Sequence, residues 1–258
     1  MSQTSPTGRE LRARRTALGP RLEAPELIFG TEFIVDRSAD DGGKLLAQAA
    51  LELGLTFWDT APPYGSHPHV RAGLKLLPRP AVQIASKSRV TEPGPAYDDL
   101  AGLARDLESE YLDLGFIHYV KPGTWEERIQ ALPAFVKARD RGLIRAIGLS
   151  THSAAIVQLA ATIPEIDVIC TTYNRDGLWF DQGTPTEMLA AAGAARTAGK
   201  GVYLIKLLGH GKLCSSPEQV DAALRAAFGV SVADAFNIGM ANLEQARANL
   251  SLLQEVRP

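Results

Sequence analysis

Short apolar runs alternate with longer amphipathic segments from Leu27 to the C-terminus, and this alternation is the strongest constraint on the fold. Eight runs have the length and composition of strands, and eight segments have the periodicity of helices. Eight successive βα units in about 230 residues fit a (β/α)₈ TIM barrel. The strand-like runs are 27–29, 55–58, 82–86, 114–118, 144–149, 167–171, 202–206 and 235–238.

The segments between and after these runs carry helix-end signals. Ser216 followed by Pro217 is typical of a helix N-terminus, and Gly54, Gly142 and Gly199 follow helical patterns as C-terminal glycines do. The predicted helices are 41–52, 69–76, 98–109, 125–141, 153–161, 184–198, 216–227 and 243–256.

An open doubly wound sheet is the alternative fold, and it would carry a glycine-rich phosphate-binding turn after its first strand. The first run leads instead into Gly30-Thr31-Glu32-Phe33. A second candidate turn begins Gly209-His210-Gly211, but Cys214 stands where the third glycine is required. The pattern therefore favours one barrel domain over residues 16–258.

Composition limits the partners and the compartment. A net charge of −2 argues against nucleic acid or an anionic membrane as the main partner, and no apolar run approaches the about 20 residues of a membrane helix. Cys170 and Cys214 do not make a disulfide framework, so we expect a cytoplasmic protein. Residues 1–15 are rich in Arg without an apolar stretch and are predicted to form a disordered tail. The oligomeric state is not predicted.

Four ionisable residues stand at or just after the ends of three successive runs. Asp59 follows the second run, Lys87 follows the third, His118 ends the fourth, and Tyr64 lies in the loop after Asp59. In a barrel the carboxyl ends of neighbouring strands meet at one face, where active groups are placed. We therefore expect these four side chains to converge.

A carboxylate, a phenol, an ammonium and an imidazole form an acid–base set. A neighbouring ammonium favours the phenolate, so Lys87 is expected to lower the pKa of Tyr64, while Asp59 holds Lys87 in place. His118 can donate a hydrogen bond to a carbonyl oxygen. The set suits protonation of an oxygen on which charge develops, and reduction of a carbonyl group is its direct use.

Several motifs, in order and at fitting spacings, resemble the aldo-keto reductase superfamily. They are Asp59–Gly65, Ala85–Lys87, Phe116–His118, Ile147–Ser150 and Gly239–Leu250. The resemblance implies a (β/α)₈ barrel that binds an extended nicotinamide cofactor. It assigns Tyr64 as general acid and Asp59 with Lys87 as its tuning pair, while His118 orients the substrate. The expected enzyme is an NAD(P)(H)-dependent oxidoreductase that reduces an aldehyde or ketone, or oxidises the alcohol.

The resemblance also places residues around the nicotinamide, with departures from the family pattern. Ser150 stands where the family holds the carboxamide, and Thr151 replaces the usual Asn. Cys170 aligns with a Gln of the family, and Ile205 with the aromatic residue that stacks under the nicotinamide. Lys206 is either a contact to the cofactor phosphates or a half-buried lysine at a strand end. These differences indicate a divergent bacterial branch.

The last βα unit is expected to hold the adenosine end of the cofactor. Asn242 and Asn249 are seven residues apart, on one helix face, and match adenine-contacting positions. Gly239 and Gln245 align with positions that usually carry the cation for the 2′-phosphate of NADP, and Arg247 is a nearby substitute. Family habit favours NADP(H) over NAD(H).

Three further residues are predicted to line the substrate site: Trp58, His67 and Trp179. His67 and His69 form a His-x-His pair, but no third ligand follows at a fitting place, so no metal is expected. Family members often continue beyond the position of Pro258 with a loop that closes over the substrate, which predicts an open site or one completed by another subunit. The identity of the small carbonyl or alcohol substrate is not readable.

Three other functions stay open on the sequence. The barrel could bind the cofactor and regulate a partner without turnover, because Thr151, Cys170 and Ile205 are unusual. A metal-dependent hydrolase would use His67, His69 and Asp59. A lyase or epimerase would use the same acid–base set without net consumption of cofactor.

Overall fold

The strands of the barrel follow one another around a closed ring in the computed structural model, which describes residues 11–258. The strands of the described residues are β1 Arg15–Leu18, β2 Leu22–Pro25, β3 Leu27–Gly30, β4 Phe57–Asp59, β5 Gln83–Ser88, β6 Leu112–Val120, β7 Ile144–Thr151, β8 Val168–Thr172, β9 Gly201–Ile205 and β10 Ala235–Gly239; β1 and β2 form a separate hairpin. Strands β3 to β10 pair in parallel with their neighbours in sequence, and β10 closes the ring on β3. The predicted (β/α)₈ barrel is therefore confirmed.

Helices follow the barrel strands on the outside of the ring, and none in the described residues is long and apolar enough to cross a membrane. They are α1 Ala39–Leu53, α2 His67–Leu74, α3 Pro93–Asp106, α4 Trp125–Arg128, α5 Leu132–Asp140, α6 Ala154–Ala161, α7 Pro185–Thr197, α8 Pro217–Phe228 and α9 Leu243–Val256.

The single helix predicted over 125–141 is instead two helices, α4 and α5, joined by a 3₁₀ turn over Ile129–Ala131. Pro133 lies in the first turn of α5, where its missing N–H removes no helical hydrogen bond. The helix predicted from Asp98 begins five residues earlier at Pro93, for the same reason. In both places the proline marks the true helix start.

An antiparallel hairpin of β1 and β2 packs its apolar side chains under the barrel interior. Gly19 in its turn has a φ of +72°, and a Cβ there would lie 2.4 Å from the backbone oxygen of Asp167, so the turn requires glycine. Of the predicted tail 1–15, residues 1–10 lie outside the described residues. Residues 11–15 contact the barrel: the amide of Ala13 donates to Leu53 O, and Arg15 begins β1.

Side chains alternate along each strand, and this alternation decides which residues reach the site. Phe57 on β4, Ala85 on β5 and Phe116 on β6 point into the barrel and pack in its inner core. The residues two positions further along these strands therefore also face inward, at the carboxyl end of the ring. They are Asp59, Lys87 and His118.

Candidate active site

A buried ion pair lies at the centre of the barrel mouth. Asp59 at the end of β4 and Lys87 on β5 are each 2% exposed. The Nζ of Lys87 donates to Oδ1 of Asp59. It also donates to the backbone oxygen of Thr60 at 2.9 Å. Tyr64 lies in the 3₁₀ turn Pro62–Tyr64, and Nζ of Lys87 is 4.8 Å from the centre of its ring. Three of the four predicted catalytic residues are thus brought together.

A buried tyrosine, Tyr203, also contacts the carboxylate of this ion pair, and the sequence analysis did not select it. The hydroxyl of Tyr203, on β9, donates to Oδ2 of Asp59 at 2.5 Å, so both carboxylate oxygens of Asp59 accept hydrogen bonds. Burial raises the pKa of Tyr203 well above its usual value, and Asp59 raises it further, so this phenol stays protonated and remains a donor. Its inward position, two residues before Ile205, was the available signal.

The pKa of Tyr64 moves in the opposite direction to the one expected. Burial of the phenol raises its pKa to about 12, and this outweighs the ammonium of Lys87, which lowers it; the charge of Asp59 raises it again. Lys87 is itself neutralised by Asp59, so it stabilises the phenolate less than a free ammonium would. Tyr64 is therefore a fully protonated acid at neutral pH.

Titration of the tyrosine absorbance tests this assignment. We expect the difference between the wild-type protein and Tyr64→Phe to show no tyrosinate signal for Tyr64 at the usual value near 10, and a signal only toward about 12. A single ionisation below 10 in that difference spectrum would show that Lys87 dominates after all.

His118 is the neutral member of the set. Burial lowers its pKa to about 2, and the charges of Lys87 and Arg89 lower it further. The imidazole is therefore uncharged at neutral pH, and its Nδ1 is buried with no partner in the described residues. A neutral imidazole carries one N–H group, so His118 can donate one hydrogen bond to an oxygen while remaining uncharged.

Buried hydroxyl groups hold the loop that carries Tyr64. Thr31 Oγ1 donates to the backbone oxygen of Asp59 at 2.9 Å, and Ser66 Oγ lies 2.7 Å from Thr31 Oγ1 and 2.8 Å from Thr60 Oγ1. These contacts join the end of β3 to both ends of the loop after β4. They fix the position of the phenol relative to the ion pair.

A groove of about 640 Å³ leads from the ion pair to the outer edge of the barrel. It begins at Asp59 and Tyr64 and runs between the loops that follow β3, β9 and β10. Five predicted cofactor residues line it: Ile205, Lys206, Gly239, Gln245 and Asn249. Its inner end is apolar at Ile205, and its outer end carries amides and hydroxyls, which suits an extended dinucleotide with a nicotinamide at one end and an adenosine at the other.

Comparison with known proteins agrees with this geometry. The model of the aldo/keto reductase family matches residues 26–226. The chain belongs to this family. An aldo-keto reductase of Mycolicibacterium paratuberculosis is 26% identical over 161 residues, which cover 59% of this chain and 54% of that protein. One of Gibberella moniliformis is 31% identical over 170 residues, covering 59% and 51%.

The chain spans about half the length of these curated aldo-keto reductases. Among solved structures, the holo form of the aldo-keto reductase AKR11C1 from Bacillus halodurans has a TM-score of 0.76, with 19% identity over 94% of this chain and 91% of that one. At that identity the likeness concerns the fold. The predicted membership of the aldo-keto reductase superfamily is confirmed by the family match.

Three predicted cofactor residues of this chain make other contacts. Thr151 is fully buried and its hydroxyl donates to Val120 O at 2.7 Å, so it belongs to the barrel wall. Cys170 is fully buried in the inner core, where burial raises its pKa to about 12. Asn242 accepts from the amide of Gln245 at 2.8 Å and caps α9. Ser150 remains near the mouth, where its Oγ accepts from the amide of Tyr119 at 2.8 Å.

Arg247 is paired away from the groove, because its guanidinium donates to Glu52 on α1. It is not among the residues that line the groove. Lys206 has a left-handed backbone with φ of 60°, lines the groove, and lies 3.3 Å from a carboxylate oxygen of Glu32. His210, on the same loop, contacts the other oxygen of Glu32 at 3.2 Å.

Two of the three predicted substrate-lining residues lie elsewhere. Trp58 is fully buried on the outer face of β4, where its ring packs against α2 and its Nε1 donates to Leu55 O. His67 is buried between α2, β5 and α3, with Nδ1 against Asp106 and Nε2 3.3 Å from Ser86 Oγ. Trp58 points outward because it alternates with the inward-facing Phe57 and Asp59. His67 begins α2 and packs toward β5 and α3. Trp179 is 44% exposed and packs against His210 at the mouth.

The His-x-His pair has no metal-binding geometry in residues 11–258. His69 Nε2 is 3.1 Å from the backbone oxygen of Arg37, and no group of three or more potential metal ligands occurs in this range. The metal-dependent hydrolase therefore has no structural support there.

Proposed function

We propose that this protein is an NAD(P)(H)-dependent oxidoreductase that reduces an aldehyde or ketone, or oxidises the corresponding alcohol, by direct hydride transfer with Tyr64 as general acid. The observation that carries the proposal is the position of the Tyr64 phenol, against a buried Asp59–Lys87 pair at the inner end of the groove. The small-molecule carbonyl substrate would meet the phenol from the barrel mouth.

A bound nicotinamide cofactor supplies or accepts the hydride in such a reaction. Gln245 and Asn249 would hold its adenosine end, and Ile205 with Ser150 its nicotinamide end, since these residues lie along the groove or at the mouth beside it. Ser150 Oγ keeps its own hydrogen free for this purpose, because it accepts from Tyr119 N and donates to no group in the described residues.

The protein's own residues handle the proton. Tyr64 carries it at neutral pH and donates it to the carbonyl oxygen as negative charge develops there. Lys87 stabilises the charge left on the phenol oxygen, and Asp59 keeps Lys87 ionised in a buried site. His118 donates a hydrogen bond that orients the carbonyl oxygen. In the oxidation direction the same groups act in reverse.

A coupled assay tests the proposal. The purified protein is mixed with NADPH or NADH and a panel of aldehydes and ketones, and the expected result is one alcohol formed per coenzyme oxidised. Tight coenzyme binding without turnover over the whole panel would favour the regulatory barrel. Conversion of a substrate without net coenzyme consumption would favour a lyase or epimerase.

For the coenzyme, we propose NADP(H) in preference to NAD(H), with Arg37 as the cation for the 2′-phosphate. Arg37 is exposed in the loop between β3 and α1, and its guanidinium donates to the backbone oxygen of Ala241 at 2.6 Å. Ala241 lines the outer end of the groove beside Gln245. Gln245 aligns with a family position that usually carries the cation for the 2′-phosphate, and Arg37 lies close enough to supply that charge instead. A guanidinium complements the dianionic phosphate.

Fluorescence titration measures this preference without catalysis. Arg37→Gln is expected to weaken NADPH binding by about tenfold, the loss of one charge-assisted hydrogen bond, and to leave NADH binding unchanged. Arg247→Gln is the matched control, because Arg247 pairs with Glu52 outside the groove. Equal losses for NADPH and NADH in Arg37→Gln would show that Arg37 does not read the 2′-phosphate.

A further inference from the structure

Two arginines, Arg89 and Arg128, stand together on one side of the barrel mouth. Arg89 directly follows β5, Arg128 ends α4, and the guanidinium of Arg128 donates to the backbone oxygen of Arg89. Neither forms a salt bridge within 4.0 Å to any acidic side chain in residues 11–258. The Nε of Arg128 is buried and has no hydrogen-bond partner there.

The arginines lie at the same end of the barrel as the catalytic side chains. Arg89 is two residues beyond Lys87, and its guanidinium carbon lies 5.7 Å from the centre of the Tyr119 ring. Tyr119 follows His118 and has a left-handed backbone with φ of 54°; its hydroxyl donates to Asp181 at 3.2 Å. This ring therefore joins the arginines to His118.

The second cation at this ring is already paired with a carboxylate. Lys121 lies 4.4 Å from the centre of the Tyr119 ring, and its Nζ is 3.6 Å from a carboxylate oxygen of Asp181. Within residues 11–258 Arg89 and Arg128 have no such acid, so their two positive charges lack an ion-pair partner in this range. They are close enough to act on the site, since both contribute to the lowered pKa of His118.

The coenzyme does not account for these charges. The groove runs between the loops after β3, β9 and β10, and its lining includes neither Arg89 nor Arg128. In the ring, β5 and β6 lie on the other side of β4 from β3 and β10. The groove that suits the dinucleotide and the two arginines thus lie on opposite sides of β4.

We propose that the substrate is an anionic carbonyl compound whose carboxylate is held by Arg89 and Arg128 while its carbonyl oxygen meets Tyr64 and His118. This inference rests on the proposed reduction of a carbonyl group. A guanidinium presents paired N–H donors that match a carboxylate, and two adjacent guanidinium groups attract an acid over its uncharged analogue.

A matched pair of substrates isolates the charge. Para-carboxybenzaldehyde and its methyl ester carry the same aldehyde on the same ring, and only the first is an anion at neutral pH. For the wild-type protein we expect kcat/KM to be at least about tenfold higher for the acid. Arg89→Gln and Arg128→Gln, assayed separately, are each expected to lower the value for the acid about tenfold and that for the ester less than about twofold.

Arg105→Gln is the control, because Arg105 is an exposed arginine on α3 away from the mouth and its loss changes the net charge equally. Thermal unfolding verifies that each variant is folded. Equal kcat/KM for the acid and the ester in the wild-type protein would overturn the anion site. An equal loss for both substrates in the arginine variants would do the same. In either case, turnover of the ester would still support the proposed reduction of a carbonyl group.

Binding is measured separately so that the inference does not depend on turnover. Calorimetric titration with para-carboxybenzaldehyde is expected to give a dissociation constant about tenfold higher for Arg89→Gln than for the wild-type protein or Arg105→Gln. Absence of turnover of both substrates would reject the proposed function, and this titration would still decide the anion site. Equal dissociation constants for the wild-type protein, Arg89→Gln and Arg105→Gln would reject the anion site.

Discussion

Substitution of Tyr64 by phenylalanine is expected to lower kcat by about 10²- to 10⁴-fold, the usual contribution of a positioned general acid. The change removes only the hydroxyl, since phenylalanine keeps the ring that lines the groove and lies beside Lys87. Coenzyme binding should therefore be retained, and the loss should fall on kcat. The measurement is steady-state kinetics, with fluorescence titration of the coenzyme on the same preparation.

Tyr97→Phe is the matched control for this loss. Tyr97 lies on α3, packs under Lys137 and Arg141, and is remote from the mouth. It should change kcat by less than about twofold, as surface substitutions usually have small effects. Full turnover in Tyr64→Phe would remove Tyr64 from the reaction and leave His118 as the remaining donor at this site.

The alternation of short runs and helical segments was sufficient to predict the barrel, and the strand ends were sufficient to predict its central pair. Asp59 and Lys87 converge because each stands two residues after an inward-facing core residue, Phe57 or Ala85, on neighbouring strands. Period-two alternation and neighbouring order are properties of the sequence. They needed no knowledge of the three-dimensional packing.

The features that the sequence did not predict depend on burial in the folded barrel and on hydrogen bonds between residues far apart in the chain. Tyr203 reaches Asp59 across the barrel interior, from a strand 144 positions further along the chain. Strand alternation predicts that Tyr203 faces inward, but not which residue it meets. The pKa of Tyr64 rises because burial exceeds the effect of Lys87, and burial is a property of the folded barrel. Thr151 and Asn242 are predicted at the cofactor, and each also bonds a backbone group: the hydroxyl of Thr151 donates to Val120 O, and Oδ1 of Asn242 accepts from Gln245 N.

Substitution of Lys87 by methionine is expected to reduce the free energy of unfolding by about 3–5 kcal/mol, because it leaves the carboxylate of Asp59 buried without its cation. Tyr203 alone then donates to that carboxylate. Turnover should also fall, since the phenol loses the charge that stabilises its ionised form. Urea unfolding followed by circular dichroism measures the change in stability.

The double variant Asp59→Asn with Lys87→Met separates the ion pair from packing. With the buried charge removed, it should be more stable than Lys87→Met alone, because the cost comes from the uncompensated carboxylate rather than from lost contacts. It should nevertheless remain inactive. If the two residues contribute independently, the double variant will be less stable than Lys87→Met by the free energy of unfolding that Asp59→Asn loses alone. That result would contradict the ion-pair explanation.

The pH dependence of the difference between the wild-type protein and Lys87→Met follows from the direction of the pKa shift of Lys87. Burial lowers that pKa, but the neighbours of Lys87, the carboxylate of Asp59 first among them, raise it more, and the net result is a rise above the usual 10.5. A raised pKa gives stability that is fully present below the value of the unfolded chain and is lost only as the pH rises through the folded value. The stability difference should therefore be constant from about pH 6 to about pH 9. A difference that shrinks within this range would mean that Lys87 loses its proton in the folded barrel near neutral pH, and that Asp59 does not hold it charged.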